Sequence, residues 1–540
     1  MNEKLTYQVL QAAIDCGVRE FIICPGSRNS AFVEALRLEE RFLLYYWPEE
    51  RSAAFFALGR SRLTQRPTAV ITTSGTAAAE LLPAAMEAYY TGVPLLLLTA
   101  DRPPRFRGSG APQSAEQVGL FGQYARFSVD LDGEQAWDLS KWNQRGPAHI
   151  NVCLEEPQSQ PKFVGQQLTV DDRSMPALSF DRQHATSTLD RFFSQIQHPL
   201  VIVSTLKAAH REAVAALLLA LDAPVVLEGV SGLREDPRLQ HLRIKRTDKI
   251  LESAKLADYA IDGVLRIGGI PTPRIWRDLE YLENDIQVCA ISDVPFSGLS
   301  WNRRVVCGPV DQILACYLPP RNLTNASAKR WLKGEVWFEK QLLALFAEEP
   351  TAEPALFYAL SKVVARDSHI YLGNSLPIRE WDLAATSESR GLEVTASRGL
   401  NGIDGQISTF LGLCQPQRQN WAFLGDLTTL YDMAGFWILP QMEKLNVNIV
   451  VINNGGGQIF ARLYPYQEML NEHSLNFGPL AQMWGLQYDR WESIPQTLVA
   501  GSSCRLIEVV PDAAATKRLL TKIGQLSQAC PAIECELNLR

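Results

Sequence analysis

The strand–helix–strand unit running from Trp421 to Gly457 constrains the fold of this 540-residue chain more than any other segment. Trp421-Ala-Phe-Leu-Gly425-Asp426-Leu427-Thr428 reads as a buried strand ending in Gly-Asp. A helix is expected through Met433 to Leu445, then a second buried strand, Val447 to Ile452, ending in Asn453-Asn454-Gly-Gly-Gly. Parallel strands joined by a helical crossover carry their ligand-binding loops at the same end. Asp426 and Asn454 therefore converge although 28 positions (454 − 426) separate them. A carboxylate, an amide oxygen and a nearby backbone carbonyl are hard oxygen ligands, suited to an octahedral Mg²⁺ that also grips phosphate oxygens. The glycines let backbone approach a diphosphate, and the helix after Asp426 offers free N–H groups to it. An ordinary crossover with a turn Asp and an Asn-Gly turn has the same local pattern, so the segment alone leaves both readings open.

At this length one core is insufficient, and about three domains are expected. A net charge of −7 gives no global attraction to nucleic acid or anionic membrane, so an anionic ligand has to meet a local group of arginines. The ten cysteines include no Cys-x-x-Cys pair and the seven histidines have no zinc-ligand spacing, which points to reduced thiols and no zinc site. The chain enters an amphipathic helix ending near Gly17 without the order of a signal peptide, and no apolar run reaches membrane-spanning length. A cytoplasmic enzyme is the expectation.

Short aliphatic runs alternate with amphipathic segments of helical length, the signature of parallel α/β sheets. Strands are expected near Phe21–Cys24, Leu43–Trp47, Ala69–Thr72, Leu95–Thr99 and His149–Leu154. A second block holds Leu200–Ser204, Val225–Glu228, Val264–Ile267 and Gln287–Ser292. The third holds His369–Leu372, Glu393–Ala396, Trp421–Leu424, Ile449–Ile452 and Arg505–Val509. Gln158 to Ser187 reads as a linker, and Pro319 to Ala328 marks a second boundary. The first and third blocks echo each other: Ala69-Val-Ile-Thr-Thr-Ser-Gly-Thr-Ala precedes a helix and an apolar strand, as Ala422-Phe-Leu-Gly-Asp-Leu does.

A second acidic segment, Trp47-Pro-Glu49-Glu50-Arg-Ser-Ala-Ala-Phe-Phe, ends a strand–turn and opens an apolar helix. On its own it also fits an acid that complements the helix dipole. The Gly425-Asp426 and Asn453-Asn454 pair resembles the diphosphate-anchoring motif of thiamin-diphosphate enzymes, with Leu427 where that motif usually has glycine. Five further segments sharpen the resemblance: Ile23-Cys-Pro-Gly-Ser27-Arg28, Leu98-Thr-Ala-Asp-Arg102-Pro-Pro, Leu372-Gly-Asn-Ser375-Leu-Pro-Ile-Arg379, Ser397-Arg398-Gly-Leu-Asn-Gly402-Ile403-Asp-Gly and Gly456-Gly-Gln458-Ile459-Phe460. In order and spacing they are similar to the thiamin-diphosphate carboligases of menaquinone and phylloquinone biosynthesis, which join 2-oxoglutarate to isochorismate. The similarity runs from about Val18 to Glu508 and is faint in the middle block; in this family the metal motif accepts Gly-Asp-Leu.

The resemblance implies an α/β fold of three domains with parallel sheets flanked by helices, as in the thiamin-diphosphate decarboxylases. Residues 1–175 would bind the pyrimidine, 188–320 would form a central domain, and 340–540 would bind diphosphate and metal. Glu50, preferred over Glu49, would activate the cofactor from beside N1′ of its aminopyrimidine. Asp426, Asn454 and Gly456 would hold Mg²⁺ or Mn²⁺, and Gly402, Gly425, Leu427, Gln458, Ile459 and Phe460 would line the cofactor. Ile403 would hold its two rings in a bent conformer. Ser375 and Arg379 would face the 2-oxoglutarate moiety; Ser27, Arg28, Arg102, Gln113 and Arg398 would face isochorismate; Phe460 and Leu463 would add an apolar wall. Arg274 stands where the family can place a lysine, and Pro112 where it often has Asn. Glu50 and Asp426 would belong to half-sites from different subunits, making a homodimer the minimum and a homotetramer compatible. Physical reasoning agrees with the substrate class: two dicarboxylates need several cations, and Arg clamps a planar carboxylate better than Lys. An acetolactate synthase-like 2-oxo acid decarboxylase, and a non-catalytic relative acting as a metabolite sensor, are the alternatives. No Gly-x-Gly-x-x-Gly or P-loop follows a first strand to favour a nucleotide-binding protein.

Overall fold

Among the described residues every pairing between the named strands is parallel, and the strands fall into three sheets. The computed structural model describes residues 2–528 except 38, 134, 157–167, 171–177, 443–444, 462–463, 465 and 498–503. The first sheet contains β1 (Glu20–Ile23), β2 (Leu43–Tyr46), β3 (Thr68–Thr72), β4 (Leu95–Asp101), β5 (Phe127–Leu131) and β6 (Ala148–Cys153). The second contains β7 (Pro199–Val203), β8 (Val225–Leu227), β9 (Gly263–Ile267), β10 (Gln287–Ser292) and β11 (Val305–Cys307). The third contains β12 (His369–Leu372), β13 (Glu393–Thr395), β14 (Gln419–Gly425), β15 (Asn446–Ile452), β16 (Gln487–Trp491) and β17 (Arg505–Val509). Spatial order is β2-β1-β3-β4-β6-β5 in the first sheet and β13-β12-β14-β15-β17-β16 in the third. Numbered within each sheet, both read 2-1-3-4-6-5, so the echo between the first and third blocks of sequence is a shared topology.

The inner strands are apolar on both faces, as expected where helices cover a parallel sheet. Val447 to Ile452 is an example: apart from Asn448 it is wholly aliphatic, and all of it is buried. Three strands escaped the sequence reading, β5, β11 and β16, and each is one of the two edge strands of its sheet. Much of the linker expected from Gln158 to Ser187 lies outside the described residues. Its last part is helical instead: Arg182–Ser194 forms a helix whose N-cap Asp181 accepts from the His184 N–H.

Packing divides the chain into two compact units. One comprises Met1–Ala177, Gly399–Pro416 and Thr428–Leu445; the other comprises Leu178–Arg398, Gln417–Leu427 and Asn446–Arg540. In the first unit the helix Glu50–Thr64 lies directly on the helix Gln406–Leu413. A Cβ on Gly59 would sit 2.3 Å from the Thr409 carbonyl oxygen, and one on Gly412 would sit 2.4 Å from that of Phe56, so both positions require glycine. No helix among the described residues is long and apolar enough to cross a membrane.

Candidate active site

In the second unit, β14 and β15 pair in register with Gly425 opposite Ile452, so their C-terminal turns emerge side by side. Asp426 opens the short helix Asp426–Tyr431 and is almost fully buried. Its Oδ1 accepts from the Leu427 N–H at 2.6 Å and its Oδ2 from the Gly456 N–H at 2.9 Å. Gly455 and Gly456 have φ of +80° and +138°. A Cβ on Gly456 would lie 2.6 Å from the Leu470 carbonyl oxygen. Gly456→Ala is therefore expected to cost about 1–3 kcal/mol through backbone strain, measurable as a lower urea midpoint with unchanged m.

The two asparagines do different work. Asn453 Nδ2 donates to Glu508 Oε1 and to the Leu475 carbonyl, while Glu508 Oε2 accepts from the Phe477 N–H and the Tyr488 hydroxyl. That network pins the turn. Asn454 Nδ2 donates to Glu353 Oε2 at 3.0 Å, and Asn454 Oδ1 is buried with no hydrogen-bond partner among the described residues. Burial raises the Asp426 carboxyl above its ordinary range, and burial together with the Asp426 charge pushes Glu353 up to about 7. Neither acid has a Lys or Arg ion-pair partner among the described residues; His473 Nε2, 3.3 Å from Asp426 Oδ2, is the nearest potential cation. Two buried carboxylates and an orphaned amide oxygen suit a divalent cation. The Gly456 carbonyl accepts from the Gln458 N–H and retains a second lone pair. Gln458, Ile459 and Phe460 follow in a 3₁₀ turn, with Phe460 exposed. Leu463 lies outside the described residues.

The same unit carries the arginines of the third block. Ser375 has φ +71° and ψ −123°, a strained conformation for a residue with a side chain, and precedes the helix Leu376–Ala384. Arg379, one turn into that helix, donates to the Ser375 carbonyl at 2.5 Å. Burial lowers its pKa, and the like charges of Arg398 and Arg277 add to the effect. Arg398 is buried and donates to Asn374 Oδ1 at 2.8 Å, while Asn374 Nδ2 holds the Ser397 carbonyl. Strain and clustered positive charge at these turns are features that would suit an anion. Arg274 is exposed and paired with Asp278 at 3.3 Å, one helical turn away; Arg277 is the middle-block arginine whose charge reaches Arg379.

In the first unit, Glu49 is the N-cap of the helix Glu50–Thr64, accepting from the Arg51 and Ser52 N–H groups. The capping role thus falls to Glu49. Glu50 is half-buried, no other side chain donates to it among the described residues, and burial raises its pKa, with Glu49 and Glu80 adding to the shift. The helix is held by Asp432, which accepts from the Ser52 hydroxyl and from the Ser408 N–H and hydroxyl. Asp432 also separates the helix Asp426–Tyr431 from a 3₁₀ segment, Met433–Gln441, where one helix to Leu445 was expected. Pro440 in that segment has no N–H to continue an α-helical ladder.

Gly402 is exposed and its carbonyl accepts from the Gln406 side chain; Ile403 is half-buried beside it. Glu87 fixes the start of their loop by accepting from the Gly399 and Leu400 N–H groups at 2.8 and 2.7 Å. Gly405 has φ +62°, and a Cβ there would overlap the Phe55 ring. Arg28 is buried and donates to the Leu154 carbonyl and Glu156. The Arg102 guanidinium lies 5.3 Å from the Phe106 ring centroid, with a buried Nε lacking a hydrogen-bond partner. Ser27 and Gln113 are exposed, Gln113 with φ +55°. Sequence reasoning missed Glu353, His473, Asp432 and Glu87, none of which stands in a recognisable motif.

Residues 4–120 match the family described as "Thiamine pyrophosphate enzyme, N-terminal TPP binding domain". A solved structure from Mycobacterium smegmatis, provisionally assigned as a thiamin diphosphate-dependent enzyme, superposes with a TM-score of 0.68 at 16% identity, covering 94% of this chain and 99% of that one. The superposition shows the fold, and the domain match places the N-terminal region among thiamin pyrophosphate enzymes. Relatives named 2-succinyl-5-enolpyruvyl-6-hydroxy-3-cyclohexene-1-carboxylate synthase match almost end to end. The protein of Bdellovibrio bacteriovorus is 41% identical over 92% of this chain and 93% of its own length. That of Akkermansia muciniphila is 36% identical over 94% and 96%. The chain belongs to the 2-succinyl-5-enolpyruvyl-6-hydroxy-3-cyclohexene-1-carboxylate synthase family.

Proposed function

We propose that the enzyme decarboxylates 2-oxoglutarate and adds the remaining succinyl unit to isochorismate, giving 2-succinyl-5-enolpyruvyl-6-hydroxy-3-cyclohexene-1-carboxylate and CO₂ on the route to menaquinone or phylloquinone. Its setting would be the cytoplasm and its form a homodimer or homotetramer, with domains 1–175, 188–320 and 340–540. Thiamin diphosphate, when bound, supplies the electron sink for loss of CO₂. Asp426, Asn454 Oδ1 and the Gly456 carbonyl would hold Mg²⁺ or Mn²⁺ against the diphosphate, beside Gly425, Leu427 and Gln458. Glu50 would take and return the proton at N1′ of the aminopyrimidine. Ile403 and Gly402 would contact the cofactor from their loop, while Ile459, Phe460 and Leu463 would keep water from the reacting carboxylate. Ser375 and Arg379 would bind the distal carboxylate of 2-oxoglutarate, and Ser27, Arg28, Arg102, Gln113, Arg274 and Arg398 would meet isochorismate.

The observation that supports this reading is the Ser375–Arg379 turn, where a strained Ser375 and a buried Arg379 stand within reach of the charges of Arg398 and Arg277, more positive charge than a monocarboxylate calls for. CO₂ release from 2-oxoglutarate with thiamin diphosphate and Mg²⁺, with and without isochorismate, tests it. Release from pyruvate and none from 2-oxoglutarate would refute the substrate assignment. A charge-assisted hydrogen bond is worth about 1.5–3 kcal/mol, so Arg379→Ala should lower kcat/KM for 2-oxoglutarate by about ten- to a hundredfold. Arg28→Ala and Arg398→Ala should chiefly raise KM for isochorismate. Equal effects of all three changes on both substrates would contradict the division.

A further inference from the structure

We infer that Glu353 is the positioning residue that makes Asn454 a metal ligand, an inference that rests on the proposed cation site at Asp426 and Asn454. A primary amide has a donating and an accepting end, and a strand-end turn does not by itself dictate which one faces the site. A carboxyl oxygen that carries no proton can only accept. Glu353 Oε2 lies 3.0 Å from Asn454 Nδ2, so the amide NH₂ turns toward Glu353 and the carbonyl oxygen turns away from it. That oxygen is buried without a partner among the described residues, on the turn whose Gly456 N–H is bound to Asp426 Oδ2.

Among the described residues the side chain's hydrogen bonding goes to Asn454. Glu353 is the first residue of the helix Glu353–Val363, and its backbone N–H is fixed by the Thr516 hydroxyl at 3.0 Å. Its carboxylate accepts from Asn454 alone among the described residues, and Oε1 is buried without a partner. The side chain is 4% exposed and has no ion-pair partner among the described residues, an arrangement that costs stability in an otherwise apolar helix start. Orienting a ligand and raising its basicity is what outer-shell partners do for metal sites.

The test uses the full-length protein and titrates Mg²⁺ at fixed thiamin diphosphate, read by tryptophan fluorescence and calorimetry, with the melting temperature of each metal-free variant alongside. Glu353→Ala should weaken Mg²⁺ binding by about 10–100-fold, and Glu353→Gln, whose carbonyl still accepts from Asn454, should recover most of the loss. In an Asn454→Ala background, Glu353→Ala should add much less than it costs alone. If Glu353→Ala does not fold, Glu353→Leu, which fills the volume, replaces it. Weakened Mg²⁺ binding in Asn454→Ala with wild-type binding in Glu353→Ala overturns the inference and leaves the cation site standing. A lowered metal-free melting temperature with unchanged Mg²⁺ affinity makes Glu353 merely structural. Unchanged affinity in Asn454→Ala removes the cation site itself. Fully additive losses in the double variant also overturn the inference, because a positioning residue acts through the residue it positions.

Discussion

Glu50→Gln should leave the protein folded and able to bind thiamin diphosphate while slowing turnover by about 10²–10⁴, the range for a removed general acid–base group. The substitution preserves size and can still hydrogen-bond N1′, but it can neither carry charge there nor exchange the proton. The structure separates this acid from its neighbour. Glu49 spends its oxygens on the Arg51 and Ser52 N–H groups, so losing it should cost about 1 kcal/mol of stability, as for an N-cap. No other side chain donates to Glu50 among the described residues, and burial raises its pKa, which strengthens its grip on a proton. Hydrogen–deuterium exchange at C2 of the bound cofactor is the decisive readout, since it precedes entry of either substrate. Wild-type exchange in Glu50→Gln would rule out the role, whereas a glutamate that only complements a helix dipole predicts less than about 1 kcal/mol of destabilisation and normal turnover.

The inner strands were legible because a strand covered on both faces must be continuously apolar, and segments such as Leu95–Leu98 and Ile449–Ile452 are nothing else. Three of the six edge strands, β5, β11 and β16, were not, although the edges β2, β8 and β13 were. β16, Gln-Tyr-Asp-Arg-Trp, has no fully buried residue, and β11 is three residues long. An edge strand is specified by the neighbour it pairs with, and that information is not local. The helix expected to continue to Leu445 fails for a related reason. Its interruption at Asp432 is set by Ser52 and Ser408, residues distant in sequence whose donors capture the carboxylate.

The site followed the same division. Gly425-Asp426 and Asn453-Asn454 were readable because a strand end, a carboxylate and glycines of positive φ have to sit together in the chain. What the sequence left open at Glu49 and Glu50 was which acid caps the helix, a choice made by side-chain geometry. Glu353, 101 positions from Asn454, could not be read at all: a Glu-Pro helix start is common, and its meaning comes only from the amide it faces. The arginines are intermediate. Their loops were foreseeable, but the Arg28 contact with Leu154 and Glu156 and the exposure of Arg274 depend on packing.

Asp426→Ala should abolish Mg²⁺-dependent cofactor binding, with a loss beyond the 10–100-fold typical of outer-shell changes. Asn454→Ala, which removes a neutral oxygen, should lose less. The metal-free protein should tolerate the change. Burial raises the Asp426 pKa, so the folded chain holds that proton more tightly than the unfolded chain does. The carboxyl's favourable contribution is therefore present below the unfolded pKa and is lost as pH rises through the folded one. At neutral pH, then, removing the acid relieves a desolvation cost while giving up the hydrogen bonds from the Leu427 and Gly456 N–H groups. The two oppose each other, and the metal-free melting temperature should change little. Ligand-induced stabilisation separates the cases sharply. At a hundred times Kd, Mg²⁺ with thiamin diphosphate should stabilise the wild-type protein by about 2.7 kcal/mol, and the same concentrations should leave the melting temperature of Asp426→Ala unmoved. An equal upward shift in both would show that the diphosphate is anchored elsewhere.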